Sequence, residues 1–122
     1  MHIMLTRPLE DSKELIIKFK SLGYDVSHLP VIKIIKQGIK NIDLHKFAGI
    51  IFTSANSVKF LDTKKLNKSI YCFCVGSATE KEALNKGFQN VYAADGNVNN
   101  LKEIIIQNYN KKKGKLLYVS GE

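Results

Sequence analysis

Short apolar runs alternate with stretches of helical periodicity along nearly the whole chain, and this alternation constrains the fold more than any other feature. Gly49 to Phe52, Ile70 to Val75, Val91 to Ala94 and Leu116 to Ser120 have the composition of buried strands. Turns rich in Ser, Thr, Asn and Gly follow them, and helical patterns over Ser57 to Leu61, Ala78 to Lys86 and Asn99 to Tyr109 separate them. Earlier, His2 to Thr6 reads as a strand ended by Arg7-Pro8. A helix reaching Leu22 follows, with Leu15, Ile16, Phe19 and Leu22 on one face and Gly23 as its stop. Asp25 to Leu29 is the next strand, closed by Pro30, and Val31 to Ile35 reads as an extended connector. A turn-rich break at Gln37 to Asn41 and a short helix over Asp43 to Phe47 complete the pattern. Strands alternating with helices imply a parallel sheet with right-handed crossovers, an α/β architecture. Residues 36 to 122 are expected to supply at least four parallel strands.

With 122 residues, 44% hydrophobic and 25% charged, the chain has the size and composition of one globular domain. No apolar run approaches the ~18 residues of a membrane span. The start, Met1 to Leu5, lacks a basic region and a small-residue cleavage site, so no secretory signal is expected. Cys72 and Cys74 lie two apart in an apolar run, on one face of a strand, which suits two reduced core residues. The histidines, His2, His28 and His45, show no metal-ligand spacing, so no metal site is expected. The cytoplasm is the natural compartment for such cysteine usage.

The net charge of +8 favours anionic partners. Nucleic acid is disfavoured, because Arg7 is the only arginine, the lysines are scattered and no nucleic-acid motif occurs. Lys111-Lys112-Lys113 before Gly114 reads as a solvated turn.

In open α/β sheets ligands bind beyond the carboxyl ends of the strands. Four turns fall there: Thr6-Arg7-Pro8, Thr53-Ser54-Ala55-Asn56, Val75-Gly76-Ser77-Ala78-Thr79 and Ser120-Gly121-Glu122. Their small and hydroxyl residues cap helices and leave backbone N–H groups facing outward, where anions are favoured. Singly, each turn is an ordinary helix cap. No Gly-x-Gly-x-x-Gly or Walker loop is present, and Ser54 lacks the glycines of a nucleophile elbow.

As an ordered set the turns say more. Ile3 to Pro8, Gly23-Tyr24-Asp25-Val26 leading to Leu29-Pro30-Val31-Ile32, Ile51 to Val58, Val75 to Thr79, and Leu117 to Glu122 resemble uroporphyrinogen-III synthase along the whole chain. The resemblance implies a flavodoxin-like parallel sheet with flanking helices, plus a βαβ piece of a second, incomplete α/β domain. Members of that family are about twice this long and have two domains joined by extended linkers. Residues 1–34 would then be a piece of the first domain with its linker strand, and 35–122 most of the second. The strand ending at Ser120 and the small size of the opening segment agree with one part of a longer protein, monomeric when complete. The opening segment is expected to be loosely attached or to pack on another chain.

The resemblance also implies a reaction. The linear tetrapyrrole hydroxymethylbilane loses its hydroxyl, and the terminal ring is inverted before closure to uroporphyrinogen III, a step of heme biosynthesis. The task is one of orientation, for which ~7–11 kcal/mol is available in favourable cases. No cofactor is implied, and no residue of this chain is given a covalent role. The substrate-binding positions carried over are Arg7, Thr53, Ser54, Ala55, Asn56, Gly76, Ser77, Ala78, Thr79 and Gly121. Arg7 could pair bidentately with a carboxylate. Residues 1–122 alone are expected to be inactive, since orientation needs both walls of a cleft. Two alternatives stand beside this reading: a non-catalytic receiver-type module, against which the strand ends carry Thr53, Gly76 and Ser120 rather than clustered acids, and a degenerate remnant.

Overall fold

The computed structural model describes residues 12–37, 46–61, 67–95 and 98–120. The expected strand His2 to Thr6, Arg7, most of the short helix at Asp43 to Phe47, and Gly121 lie outside these residues. The described elements run α1 (Ser12–Ser21), β1 (Val26–Pro30), α2 (Val31–Gln37), β2 (Phe47–Phe52), α3 (Ala55–Phe60), β3 (Tyr71–Val75), α4 (Ser77–Asn85), β4 (Asn90–Ala94), α5 (Val98–Asn108) and β5 (Lys115–Ser120), with a 3-10 turn at Lys111–Lys113 before β5. All five strands form one parallel sheet in the order β1-β5-β2-β3-β4. The fold is thus a flavodoxin-like α/β sheet with flanking helices, and four of its strands come from residues 36 to 122, as the alternation predicts.

Period-two alternation sends successive side chains to opposite faces. On one face Ile50, Phe52, Cys72, Cys74, Leu117 and Val119 form a core with Val31 and Ile34 of α2, Val58 of α3 and Ala83 of α4. On the other, Ile51, Phe73, Val75, Leu116 and Tyr118 pack with Leu15, Ile16 and Phe19 of α1 and Leu101 and Ile105 of α5. Both faces are covered, which explains why the central strands read as unbroken apolar runs. Cys72 and Cys74 are free and fully buried, with their sulfurs 3.8 Å apart. The hydrogen bond to Cys74 and burial push the Cys72 thiol up from its ordinary range, away from the reactive thiolate.

Two expectations are corrected. Val31–Gln37 is a helix, not an extended connector. Its β-branched composition suggests a strand, but Val31 and Ile34, three apart, are buried against the sheet while Lys33 and Lys36 face solvent. Tertiary burial at helical spacing overrides the local preference. Nor is the described part of the opening segment, residues 12–30, loosely attached. β1 pairs with β5 from Val26↔Leu116 to Pro30↔Ser120, and Leu15, Ile16 and Phe19 are almost wholly buried in the shared core. Parallel pairing lets β1 cover the open edge of β5, and α1 brings its apolar face down beside it.

Gly49 marks a register shift between β2 and β5, and a Cβ there would meet Leu116 Cδ2 at 2.7 Å and Tyr109 Cε1 at 3.1 Å, so a side chain at this position would require these two to shift. Below this point lies an aromatic cluster. Tyr71, Phe73 and Tyr92 stack, and Tyr109 meets Tyr71 and Phe73 edge-on. The Tyr109 hydroxyl donates to the Gly114 carbonyl at 2.8 Å, holding the turn that leads into β5. Burial, with the neighbouring Tyr71 and Tyr24 phenols, pushes the Tyr109 hydroxyl up to about 12. A raised phenol pKa means that the unfolded chain loses this proton first, near pH 10. Its contribution to stability is therefore complete below pH 10 and is lost as pH rises towards 12. Melting temperatures at pH 9 and pH 11 are expected to show this alkaline loss, and Tyr109→Phe to reduce it.

Candidate functional site at the carboxyl edge of the sheet

Each turn beyond the carboxyl edge is shaped by the strand before it. From β2 the chain moves outward through β3 to β4, then returns by α5 to β5 on the other side of β2. This reversal makes the carboxyl ends of β2 and β5 the topological switch point, where open α/β sheets offer a crevice. Thr53 and Ser120 stand there. The Thr53 backbone N–H donates to the Val119 carbonyl at 3.2 Å, and its hydroxyl reaches the same oxygen at 3.4 Å. On the next strand, the Gly76 N–H donates to Ala94 O at 2.8 Å. The end of β2 therefore leans to β5 and the end of β3 to β4. Between them the first turns of α3 and α4 face the space above the edge, their parent strands about 4.8 Å apart.

The two turns differ in a way that composition alone does not reveal. Ser54 caps α3 in a reciprocal box: its hydroxyl accepts from Ser57 N, and the Ser57 hydroxyl accepts from Ser54 N. Ser57 is fully buried, so both hydroxyls serve the helix end. Gly76, by contrast, precedes α4 with φ 89° and ψ 154° and supplies no capping side chain. That backbone region is essentially reserved for glycine. A Cβ at Gly76 would meet nothing within 4 Å, so space above this turn is open. Helix α4 thus begins with N–H groups that no side chain of its N-cap satisfies. Glu80, in its first turn, is the one acidic group there and already uses part of the helix-end field.

The described candidate positions are distributed accordingly. Asn56, Ser77 and Ala78 are exposed, and Thr53, Ser54, Ala55 and Gly76 are half-buried. Thr79 is 3% exposed, which leaves its side chain packed inside the fold. The structure gathers Thr53 to Asn56 and Gly76 to Thr79 at one edge, while Arg7 and Gly121 fall outside the described residues. His28, which meets Ser120 of the fourth turn, was not singled out as a site residue by sequence patterns. Ser120 is 1% exposed, and the His28 Nε2 lies 3.0 Å from its Oγ. The approach depends on the β1–β5 register, which has no local sequence signal. The resulting edge offers backbone and hydroxyl donors suited to anionic oxygens. Among the described residues no group of three or more His, Cys, Asp or Glu side chains is placed to hold a metal ion.

Comparison with known proteins agrees with this architecture. No curated protein and no solved structure matches the chain. The family model of uroporphyrinogen-III synthase HemD matches residues 13–122, which span every described strand and both turns of the site. The chain belongs to the uroporphyrinogen-III synthase family.

Proposed function

We propose that this chain forms one wall of a site that cyclises hydroxymethylbilane to uroporphyrinogen III, as a cytoplasmic hydro-lyase of heme biosynthesis. The observation that carries the proposal is the uncapped start of α4 at Gly76, set beside the turn at Thr53 on one sheet edge. A tetrapyrrole bearing acetate and propionate groups is a polyanion. Backbone N–H groups at helix starts and a net charge of +8 suit it without any nucleophile. In this reading Ala55, Asn56, Ser77 and Ala78 bind carboxylates or ring N–H partners through backbone, amide and hydroxyl groups, while Thr53, Ser54 and Gly76, whose N–H groups are engaged within the fold, shape the wall. Thr79 acts only through its backbone, since its side chain is packed away. These contacts would hold the two ends of the linear chain in the arrangement that closes with ring inversion, an orientation effect. Arg7 and Gly121 complete the proposed contact set.

Two measurements test the proposal. Uroporphyrin III, the oxidised product, is expected to bind residues 1–122 and to move the backbone amide resonances of Thr53 to Asn56 and Gly76 to Thr79. Absence of binding would overturn the assignment. Given hydroxymethylbilane, the same chain is expected to leave the isomer mixture unchanged from the spontaneous reaction, because a single wall does not constrain both substrate ends. Type III product above that background would overturn the one-wall reading.

A further inference from the structure

We propose that a second small-molecule site lies at the opposite, amino edge of the sheet, in a pocket between the ends of α1 and α5 that takes a single-ring aromatic carboxylate. The pocket has a volume of about 290 Å³, opens to solvent, and is lined by Leu22, Tyr24, Ile106, Tyr109, Asn110 and Lys111. Small-molecule sites begin near ~300 Å³, so one ring with a short acidic arm matches its scale and a tetrapyrrole does not. Its place follows from the chain. Tyr24 stands two residues before β1, and Tyr109 to Lys111 lead through the 3-10 turn into β5. Because β1 and β5 are parallel neighbours, both approaches reach the same amino edge. The length of a five-residue strand, roughly 16 Å, separates this edge from the turns at Thr53 and Gly76. The proposal therefore does not depend on the tetrapyrrole reading.

The buried rings of Tyr24 and Tyr109 form the floor, with centroids 6.4 Å apart. Their hydroxyls are committed, Tyr24 donating to the Tyr109 carbonyl at 3.2 Å and Tyr109 to the Gly114 carbonyl at 2.8 Å. The floor thus offers ring surface to a ligand. Leu22 and Ile106 stand 42% and 48% exposed beside it, apolar surface that a bound ring would remove from water. The polar side is Asn110 and Lys111. The Asn110 side-chain oxygen accepts from Lys112 N at 2.9 Å and caps the turn, while its amide N–H₂ group bonds to no other described residue. The Lys111 ammonium donates to the Leu22 carbonyl at 3.4 Å, a long contact that occupies one of its three N–H donors. A Cβ on Gly23 would lie 3.2 Å from this nitrogen, so glycine makes room for the lysine at the pocket. Charge selects the ligand. Segments 18–25 and 106–115, which line the pocket, carry Lys18, Lys20, Lys111, Lys112, Lys113 and Lys115 against Asp25, with Glu103 one helical turn before Ile106. Such a surplus favours an anion over a neutral molecule of the same shape.

The test titrates ¹⁵N-labelled residues 1–122 with 3-phenylpropionate and, as the uncharged counterpart, with 3-phenylpropanol. Saturable shifts are expected at the amides of Leu22, Tyr24, Ile106, Tyr109, Asn110 and Lys111, with Thr53 to Asn56 and Gly76 to Thr79 unmoved. Affinity for the alcohol is expected to be roughly fivefold weaker, the scale of an exposed ion pair. Lys111→Met, which keeps the stem over Gly23, is expected to bring the acid down to the affinity of the alcohol. Ile106→Gln, at an exposed position, is expected to weaken both. No saturable shift with millimolar acid, equal affinity for acid and alcohol, or shifts at the carboxyl edge instead would overturn the proposal. Shifts at Leu22 and Ile106 on diluting the ligand-free protein would assign the apolar surface to a second copy of the chain, and would equally overturn it. The comparison of acid with alcohol uses the unaltered chain, so it decides the matter even where a variant does not fold. Uroporphyrin III reads the carboxyl edge separately, so either site can fail alone.

Discussion

Phe73→Ala is expected to lower the unfolding free energy by about 3–5 kcal/mol, the range for deleting a buried aromatic ring. Phe73 is fully buried on the interior strand β3, stacked with Tyr71 and Tyr92 and met edge-on by Tyr109. No neighbouring helix can close the cavity easily, because α5 is anchored by Leu101 and Ile105, which are equally buried. A domain of this size is stable by about 5–15 kcal/mol, so the loss takes a large share of the total. Urea unfolding followed by tyrosine fluorescence would measure it. A loss under about 1 kcal/mol would mean that the aromatic cluster is looser than its geometry implies. Phe73→Leu is expected to cost less, since it keeps most of the apolar volume.

Ser77→Glu is expected to separate the ligand-binding role of the α4 start from its structural role. Ser77 is the first residue of α4 and is exposed. A carboxylate there is favoured by the helix field by about 0.3–1 kcal/mol. It also stands four residues before Lys81, a favourable helical pairing, although Glu80 three residues on offsets part of that gain. Stability should therefore be unchanged or slightly raised. A carboxylated ligand approaching the same N–H groups would instead meet a like charge, at a cost expected to weaken uroporphyrin III binding about tenfold or more. Undiminished affinity in a well-folded Ser77→Glu protein would remove the α4 start from the site. Parallel loss of stability and affinity would point to a disturbed helix instead.

How much of this was legible beforehand depends on the range of the interaction concerned. The strands at Gly49 to Phe52, Ile70 to Val75, Val91 to Ala94 and Leu116 to Ser120 could be read because a strand covered on both faces must be apolar throughout. The boundaries of α3, α4 and α5 were legible to within two residues: α3 begins at Ala55 rather than Ser57, and α5 at Val98 rather than Asn99, whereas Phe47, expected to end a helix, opens β2. The shared face of Cys72 and Cys74 followed from a period of two, and their burial agrees with it. The segment Val31 to Gln37 was misread because Val31, Ile32, Ile34 and Ile35 fit either periodicity over so short a span. Its burial against Leu117 and Val119 selected the helix.

The sequence by itself determined that this chain builds a parallel α/β sheet and that its anion-friendly turns lie at one edge. Both follow from local composition and from the handedness of crossovers, which need no knowledge of distant partners. Only the tertiary structure decided which turns remain open. Ser54 and Gly76 look equally suited to capping in sequence, yet Ser57 occupies the first, while the backbone angles of Gly76 leave the second without a side-chain cap. Only the tertiary structure joined β1 to β5, and with that pairing brought His28 to Ser120 across a separation of 92 residues. Register between distant strands is set by the packing of both sheet faces at once, and no short stretch of sequence encodes it.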